Sequence, residues 1–154
     1  MLNRIIRAVW RRFWSAVARH LQYYLIRTST VWGEPSRVTL GNNVWVGNAI
    51  LNTRSGNIVI EDDVFFGLNV SVLTGTHDYR LTGDARLAAV PDSGRDITIR
   101  RGVWIASNVT ILGPCVIGED SVVMAGSVVC KDLPPKMLCG GIPARPIRAI
   151  SFAS

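Results

Sequence analysis

A three-sided parallel β-helix, preceded by one amphipathic α-helix, is the fold that this 154-residue sequence predicts. Three observations predict it. Ile99, Ile105, Ile111, Ile117, Val123 and Val129 recur at every sixth residue without a slip. Val103, Val109, Cys115, Ser121 and Ser127, each two residues ahead of the next of these, form a second set at the same interval. The leading segment has a different rhythm, with aliphatic and aromatic side chains three or four apart among arginines. A fixed period of six is neither helical nor the alternation of an ordinary strand; it marks a repeat architecture. Each hexad is one short flat face followed by a corner, and three hexads make a triangular coil of about 18 residues. Coils stack at the strand-pairing distance of roughly 4.8 Å. No coil can bury its own aliphatics, so its neighbours complete the core.

In chain order, residues 1–27 read as the helix. Leu2, Ile5, Ile6, Val9, Trp10, Phe13, Trp14, Val17, Leu21, Tyr24 and Leu25 form its apolar face. Arg4, Arg7, Arg11, Arg12, Arg19 and Arg27 interrupt it, which excludes a transmembrane span. The broken apolar run also lacks the form of a secretory signal. Two uses are open for this helix. Its aromatic face packs on the repeat body or a neighbouring subunit, or it lies on an anionic membrane surface. Residues 28–37 are a connector with Gly33, Pro35 and Ser36 as breakers.

The repeat domain spans 38–133. Its first hexads start at Leu40 and Val46, Gly56 and Asn57 add two residues, and the register resumes at Ile60, Phe66 and Val72 with Val64, Val70 and Thr76 as partners. From His77 to Asp96 no hexad occurs, so 77–96 is a projecting loop, of the length that is usually functional in a compact domain. It opens on the only histidine of the repeat body. Pro134 and Pro135 end the repeats, since a ladder cannot use residues without an N–H, and 134–154 reads as an irregular tail.

Composition narrows the function. The length fits one domain, and 48% hydrophobic content is ample for a core. The net charge is +6, but six of the 17 basic residues lie in 1–27, where there is no acid; the remaining eleven balance the eleven acids. The body thus has no basic surface to extend the patch, and a nucleic-acid role is excluded. Cys115, Cys130 and Cys139 have no zinc-like spacing and read as free thiols of a cytoplasmic protein. No Gly-rich phosphate loop opens a helix.

The hexads, the segment Leu73-Thr74-Gly75-Thr76-His77-Asp78, the segment Gly102-Val103-Trp104-Ile105-Ala106-Ser107 and the segment Met124 to Asp132 together resemble the hexapeptide-repeat acyltransferases over roughly 38–150. Within that family the His77-Asp78-Tyr79 motif is most similar to the maltose/galactoside O-acetyltransferases. The resemblance implies a left-handed coil, a homotrimer, and transfer of acetyl from acetyl-CoA to a sugar or polysaccharide-precursor hydroxyl. It implies that His77 is the catalytic base. Histidine suits the task because its unperturbed pKa is about 6.5, and such a base contributes roughly 10²–10⁴-fold.

Asn52, and with it Arg54, resembles the acceptor side, and Asp78 is a candidate carboxylate for the acceptor or for orienting the imidazole. Relatives carry an acidic acceptor-site residue in the N-terminal helical segment, whereas this chain has no acid before Glu34, which leaves the acceptor open. Trp104 and Ser107 resemble the segment lining the acyl donor, where a backbone N–H holds the oxyanion. Ala125 stands where small residues let an extended donor approach, and Lys131, Arg145 and Arg148 are the cations expected near its phosphates. A trimeric carbonic anhydrase of similar fold binds zinc through three histidines; with His77 alone in the body, no metal is expected. An amino-acid, amino-sugar or antibiotic acceptor, and a noncatalytic scaffold, are the alternative readings. The expected location is cytoplasmic, with peripheral membrane contact as the second use of the helix.

Overall fold

The computed structural model describes residues 2–152. The chain begins with α1 (Leu2–Arg27), followed by β1 (Thr30–Trp32) and a single 3-10 turn at Pro35–Arg37. Then come β2 (Val38–Leu40), β3 (Ile50–Asn52), β4 (Ile58–Ile60), β5 (Phe65–Phe66) and β6 (Ser71–Leu73). After α2 (Gly83–Ala88) follow β7 (Ile97–Ile99), β8 (Trp104–Ile105), β9 (Thr110–Leu112), β10 (Cys115–Ile117), β11 (Val122–Val123) and β12 (Val128–Val129). A hairpin of β13 (Met137–Gly141) and β14 (Ala144–Ala149) closes the body.

The strands stack into three parallel sheets, one per face of a prism. Face A is β1-β3-β6-β9-β12, face B is β2-β4-β7-β10, and face C is β5-β8-β11-β13 with β14 antiparallel on its edge. The hexad aliphatics are the core: Ile99, Ile105, Ile111, Ile117, Val123 and Val129 are all fully buried. The second set is buried as well, Val103 and Val109 beside Cys115, Ser121 and Ser127. Corners are turned by residues in the left-handed region, such as Asn43, Asp63, Gly102, Asp120 and Lys136 between faces B and C. Asn and Asp tolerate that conformation and bond along the stack, as Asn43 Nδ2 does to Asp63 Oδ1 at 2.8 Å.

The structure departs from the sequence expectation in five places. The coil begins inside the connector, because Val31 of β1 registers with Leu51. The loop 77–96 contains the short helix α2. The tail is not irregular: β13 adds a rung to face C, with Cys139 beside Val123 and fully buried. Pro134 and Pro135 are exposed corner residues, where no ladder N–H is required, so they shrink the face B rung to the bridge Ile117–Leu133 without ending the coil. Thr76 is half-buried, outside the core; Thr74 is the buried residue there.

The two inward serines explain how the last coil closes. Ser121 Oγ donates to Pro134 O at 2.8 Å and accepts from the Met137 N–H at 3.2 Å. Ser127 Oγ donates to Met124 O at 2.7 Å and accepts from the Gly141 N–H at 3.2 Å. Both satisfy backbone groups that the ladder leaves over where strands give way to turns.

Only part of the apolar face of α1 is described: Leu2, Ile5, Tyr24 and Leu25 lie outside the described side chains, and Val17 is half-buried. Val9, Trp10, Phe13, Trp14 and Leu21 are 52–61% exposed. Among the described residues, no helix is long and apolar enough to cross a membrane.

Candidate active site

Every long corner of the coil lies on the edge between faces A and B. It carries 33–37, 53–57 and 74–96, whereas the later A–B corners are only 113–114 and 130–132. Extra residues at one edge leave the stacked faces untouched and build a projection there. Arginines fasten that projection. Arg95 Nε donates to Thr74 O at 2.7 Å, and Arg37 Nη1 donates to Asp92 O at 2.8 Å and to Thr53 O at 3.3 Å.

His77 stands where β6 gives way to this loop. Its Nδ1 lies 2.9 Å from the carbonyl oxygen of Arg86. That carbonyl belongs to the last turn of α2, where carbonyls have no helical partner. The Val90 N–H that would serve it bonds Ala88 O instead, at 2.9 Å. The Arg86 side chain secures the turn by donating from Nη2 to Tyr79 O at 3.1 Å and from Nε to Leu81 O.

His77 lines two adjoining cavities, of about 400 and 590 Å³. The smaller one brings His77 together with Asn52, Arg54, Trp32, Gly75, Thr76 and Val90. The acceptor candidates Asn52 and Arg54 thus share a cavity with the histidine. Asn52 Oδ1 accepts the Arg54 N–H at 3.0 Å, and the amide nitrogen makes no hydrogen bond among the described residues. Gly75 makes room for that carboxamide, since a Cβ there would lie 2.7 Å from Asn52 Oδ1.

Asp78 lines the larger cavity but does not orient the imidazole. Its Oδ2 sits 2.7 Å from Arg80 Nη2, and Oδ1 accepts from Arg80 Nε at 2.9 Å and from the Arg80 N–H at 3.0 Å. These hydrogen bonds from Arg80 hold the carboxyl pKa down at about 2. An adjacent side chain points away along the turn, and a backbone carbonyl takes the orienting role that the sequence offered to Asp78.

The donor candidates divide among other parts of the prism. Trp104 lies on face C, half-exposed and stacked on Phe65 with ring centroids 5.7 Å apart and planes 16° apart. Ser107 and Ala125 occupy the C–A edge. Ser107 Oγ accepts the Leu68 N–H at 3.0 Å. Ala125 is exposed and precedes Gly126, whose φ of 72° leaves open space where a Cβ would be. Lys131 is exposed on the A–B edge below His77, and Arg145 and Arg148 are exposed on β14. None of the three forms an ion pair among the described residues. Neither cavity that His77 lines contains any of these six donor candidates.

Among the described residues, no cluster of His, Cys, Asp and Glu would hold a metal ion. Burial pushes the Cys115 thiol up to about 12 and raises that of Cys139, so both stay protonated and unreactive.

Sequence reasoning missed Trp32, Gly75 and the Arg86 carbonyl. Trp32 had a legible signal. It stands twenty residues before Asn52 and directly over it in the face A register, and Leu40 precedes its partner Ile60 by the same count.

Parallel coils with hexad cores, and one histidine at the root of the longest corner, define a three-sided β-helix of the hexapeptide type. Comparison with known proteins reaches the same class. Residues 96–131 match the family described as bacterial transferase hexapeptide (six repeats). The galactoside O-acetyltransferase of Escherichia coli K12 is 32% identical over 129 residues, which cover 78% of this chain and 61% of that protein. A maltose O-acetyltransferase from Clostridium difficile 630 superposes with a TM-score of 0.70 at 28% identity, covering 82% of this chain and 65% of the other. The hexapeptide-repeat acetyltransferase VCA0836 of Vibrio cholerae O1 biovar eltor, solved with acetyl coenzyme A, superposes with a TM-score of 0.59 at 29% identity, covering 90% of this chain and 79% of the other. The chain is similar to the hexapeptide-repeat acyltransferases, and among them to the maltose and galactoside O-acetyltransferases. It spans 44–65% of the length of the curated relatives it matches.

Proposed function

We propose that the chain transfers an acetyl group from acetyl-CoA to a sugar hydroxyl, with His77 as general base. The observation that carries this reading is the 2.9 Å contact between His77 Nδ1 and the Arg86 carbonyl. A carbonyl only accepts, so Nδ1 holds the proton, and the neutral ring keeps the Nε2 lone pair for an incoming hydroxyl. Nε2 takes the hydroxyl proton as the oxygen attacks the thioester carbonyl. The tetrahedral oxyanion then collapses, the C–S bond breaks, and the imidazolium returns its proton to the departing thiolate. Asn52, Arg54 and Trp32 hold the acceptor. Trp104, Ser107 and Ala125 line the donor, with a backbone amide near Ser107 facing the oxyanion and Lys131, Arg145 and Arg148 near the phosphates.

The working unit in this reading is a homotrimer with clefts between protomers. The support is topological. The base lies on the A–B edge, while Trp104 is on face C and Ser107 on the C–A edge. One prism cannot bring separate edges together, but a neighbouring prism can lay its second edge against the first. The similarity to a protein solved with acetyl coenzyme A supports the donor.

Residues 1–27, in the same proposal, make a peripheral contact with an anionic membrane surface. Their exposed Trp and Phe face, opposite most of six arginines and without an acid, has the form of an interfacial helix. This placement suits a cytoplasmic enzyme acting on a precursor of a surface polysaccharide.

Incubation with acetyl-CoA and a panel of sugars, reading free thiol, tests the activity. Release that falls at least about 100-fold in His77→Ala supports the base. Absence of release with every sugar, or equal release by the variant, rejects the reading.

A further inference from the structure

We infer that the acceptor carries an anionic group, a carboxylate or a phosphate, and that Arg54 recognises it; this rests on the acyltransfer reading above. Arg54, Arg80 and Arg95 line the His77 cavities, Arg37 lines the cavity alongside and Arg86 carries the carbonyl that His77 meets; all but Arg54 are committed. Arg37 and Arg95 donate to loop carbonyls, Arg86 donates to Tyr79 O and Leu81 O, and Arg80 is bound to Asp78. The Arg54 guanidinium has no hydrogen bond and no ion pair among the described residues.

Arg54 lines the cavity that also holds His77, Asn52 and Trp32, and no carboxylate lines that cavity. Glu34 and Asp92 share with Arg54 and Arg37 a smaller cavity alongside, yet neither forms an ion pair with Arg54. The next cavity over contains one carboxylate, Asp78, which Arg80 neutralises. The cavity that holds His77 and Asn52 therefore has one unpaired guanidinium and no carboxylate in its lining.

The form of the charge narrows the partner. A guanidinium is a planar fork that binds carboxylate or phosphate oxygens through two parallel bonds, where a neutral hydroxyl gains one weaker bond. Asn52 reinforces the preference. Its oxygen already accepts one bond, from the Arg54 N–H, and its amide is a further donor in the same cavity. Above it Trp32, 67% exposed, offers an indole face to the apolar side of a sugar ring.

The test uses the full-length protein, and protection of His77 reports occupancy without turnover. Diethyl pyrocarbonate modification of the His77 peptide is followed by mass spectrometry with methyl glucuronide, glucose 6-phosphate or methyl glucoside present. We expect one or both anionic sugars to protect at concentrations roughly tenfold or more below the neutral one, since charge-assisted bonds discriminate by about tenfold to a hundredfold. Arg54→Gln removes the difference and Arg54→Lys restores part of it. Protection by the glucuronide alone assigns a carboxylate; protection by the phosphate alone assigns a phosphate. Equal protection by all three, protection by none, or an unchanged difference in Arg54→Gln overturns the inference. Thiol release from acetyl-CoA, read in parallel, separates the two levels. His77-dependent release without anion preference overturns the inference alone. Its absence with every sugar overturns acyl transfer and the inference with it.

Discussion

Replacing His77 by asparagine separates the base from the scaffold that holds it. Asparagine places its amide nitrogen one bond beyond Cγ, where the Nδ1 of histidine sits. The variant therefore keeps a donor for the Arg86 carbonyl, now 2.9 Å from Nδ1, and keeps the loop anchored on α2. What it lacks is any atom in the place of Nε2. If Nε2 is the base, kcat falls roughly 10²–10⁴-fold, which at about 1.4 kcal/mol per decade is about 3 to 5 kcal/mol of transition-state stabilisation. The loss belongs in kcat, because a proton taken only during attack contributes nothing to ground-state binding. The assay is thiol release at saturating acetyl-CoA, with a thermal melt to show that the variant folds. Free imidazole added to His77→Ala supplies the missing base and recovers part of the rate. A kcat within tenfold of the wild type in a folded asparagine variant would refute the assignment, whatever its KM.

The remaining predictions concern groups near His77 and the exposed aromatic side chains of α1. Gly75→Ala puts a Cβ 2.7 Å from Asn52 Oδ1, so the carboxamide must swing away. Since the displaced group is the end of a side chain, stability changes little while the acceptor KM rises, and an unchanged KM would show that Asn52 does not touch the acceptor. Hydrogen bonding by Arg80 holds Asp78 at about 2, below its ordinary 3.8. The pair's contribution is therefore present above that ordinary value and is lost as pH falls through about 2, and it is small because both groups face water. Arg80→Ala should return Asp78 to its ordinary range in a carboxyl NMR titration; titration still near 2 would sink the attribution to Arg80. Substituting Trp10, Phe13 and Trp14 by serine removes the exposed aromatic face of α1. It should abolish pelleting with anionic vesicles while the body keeps its melting temperature, and equal pelleting by both proteins would exclude the membrane contact.

The parts of the molecule that were legible in advance share one physical property, which is dependence on the period alone. Ile111 is buried because Val72 above it and Val129 below it stand at the same place in their coils, and spacing reveals that directly. The edges have no period. The sequence shows that the hexads stop at His77, but the helix α2 within the gap is six residues long, too short for an amphipathic signal. Proline was misleading at Pro134 for the same reason. Its missing N–H matters in a ladder and not at a corner, and telling the two apart requires knowing the rung it follows. Asp78 shows the limit for chemistry. Its type and its neighbour in sequence both suggested a carboxylate behind the imidazole, yet Arg80, two residues on, captures it through a local turn. The group that does orient the ring is a main-chain carbonyl freed at the end of α2, and any residue at position 86 would supply one. His77 could be singled out by its own chemistry and by where the period breaks. Its partner has no side chain to read, so the pairing follows only from the path of the loop.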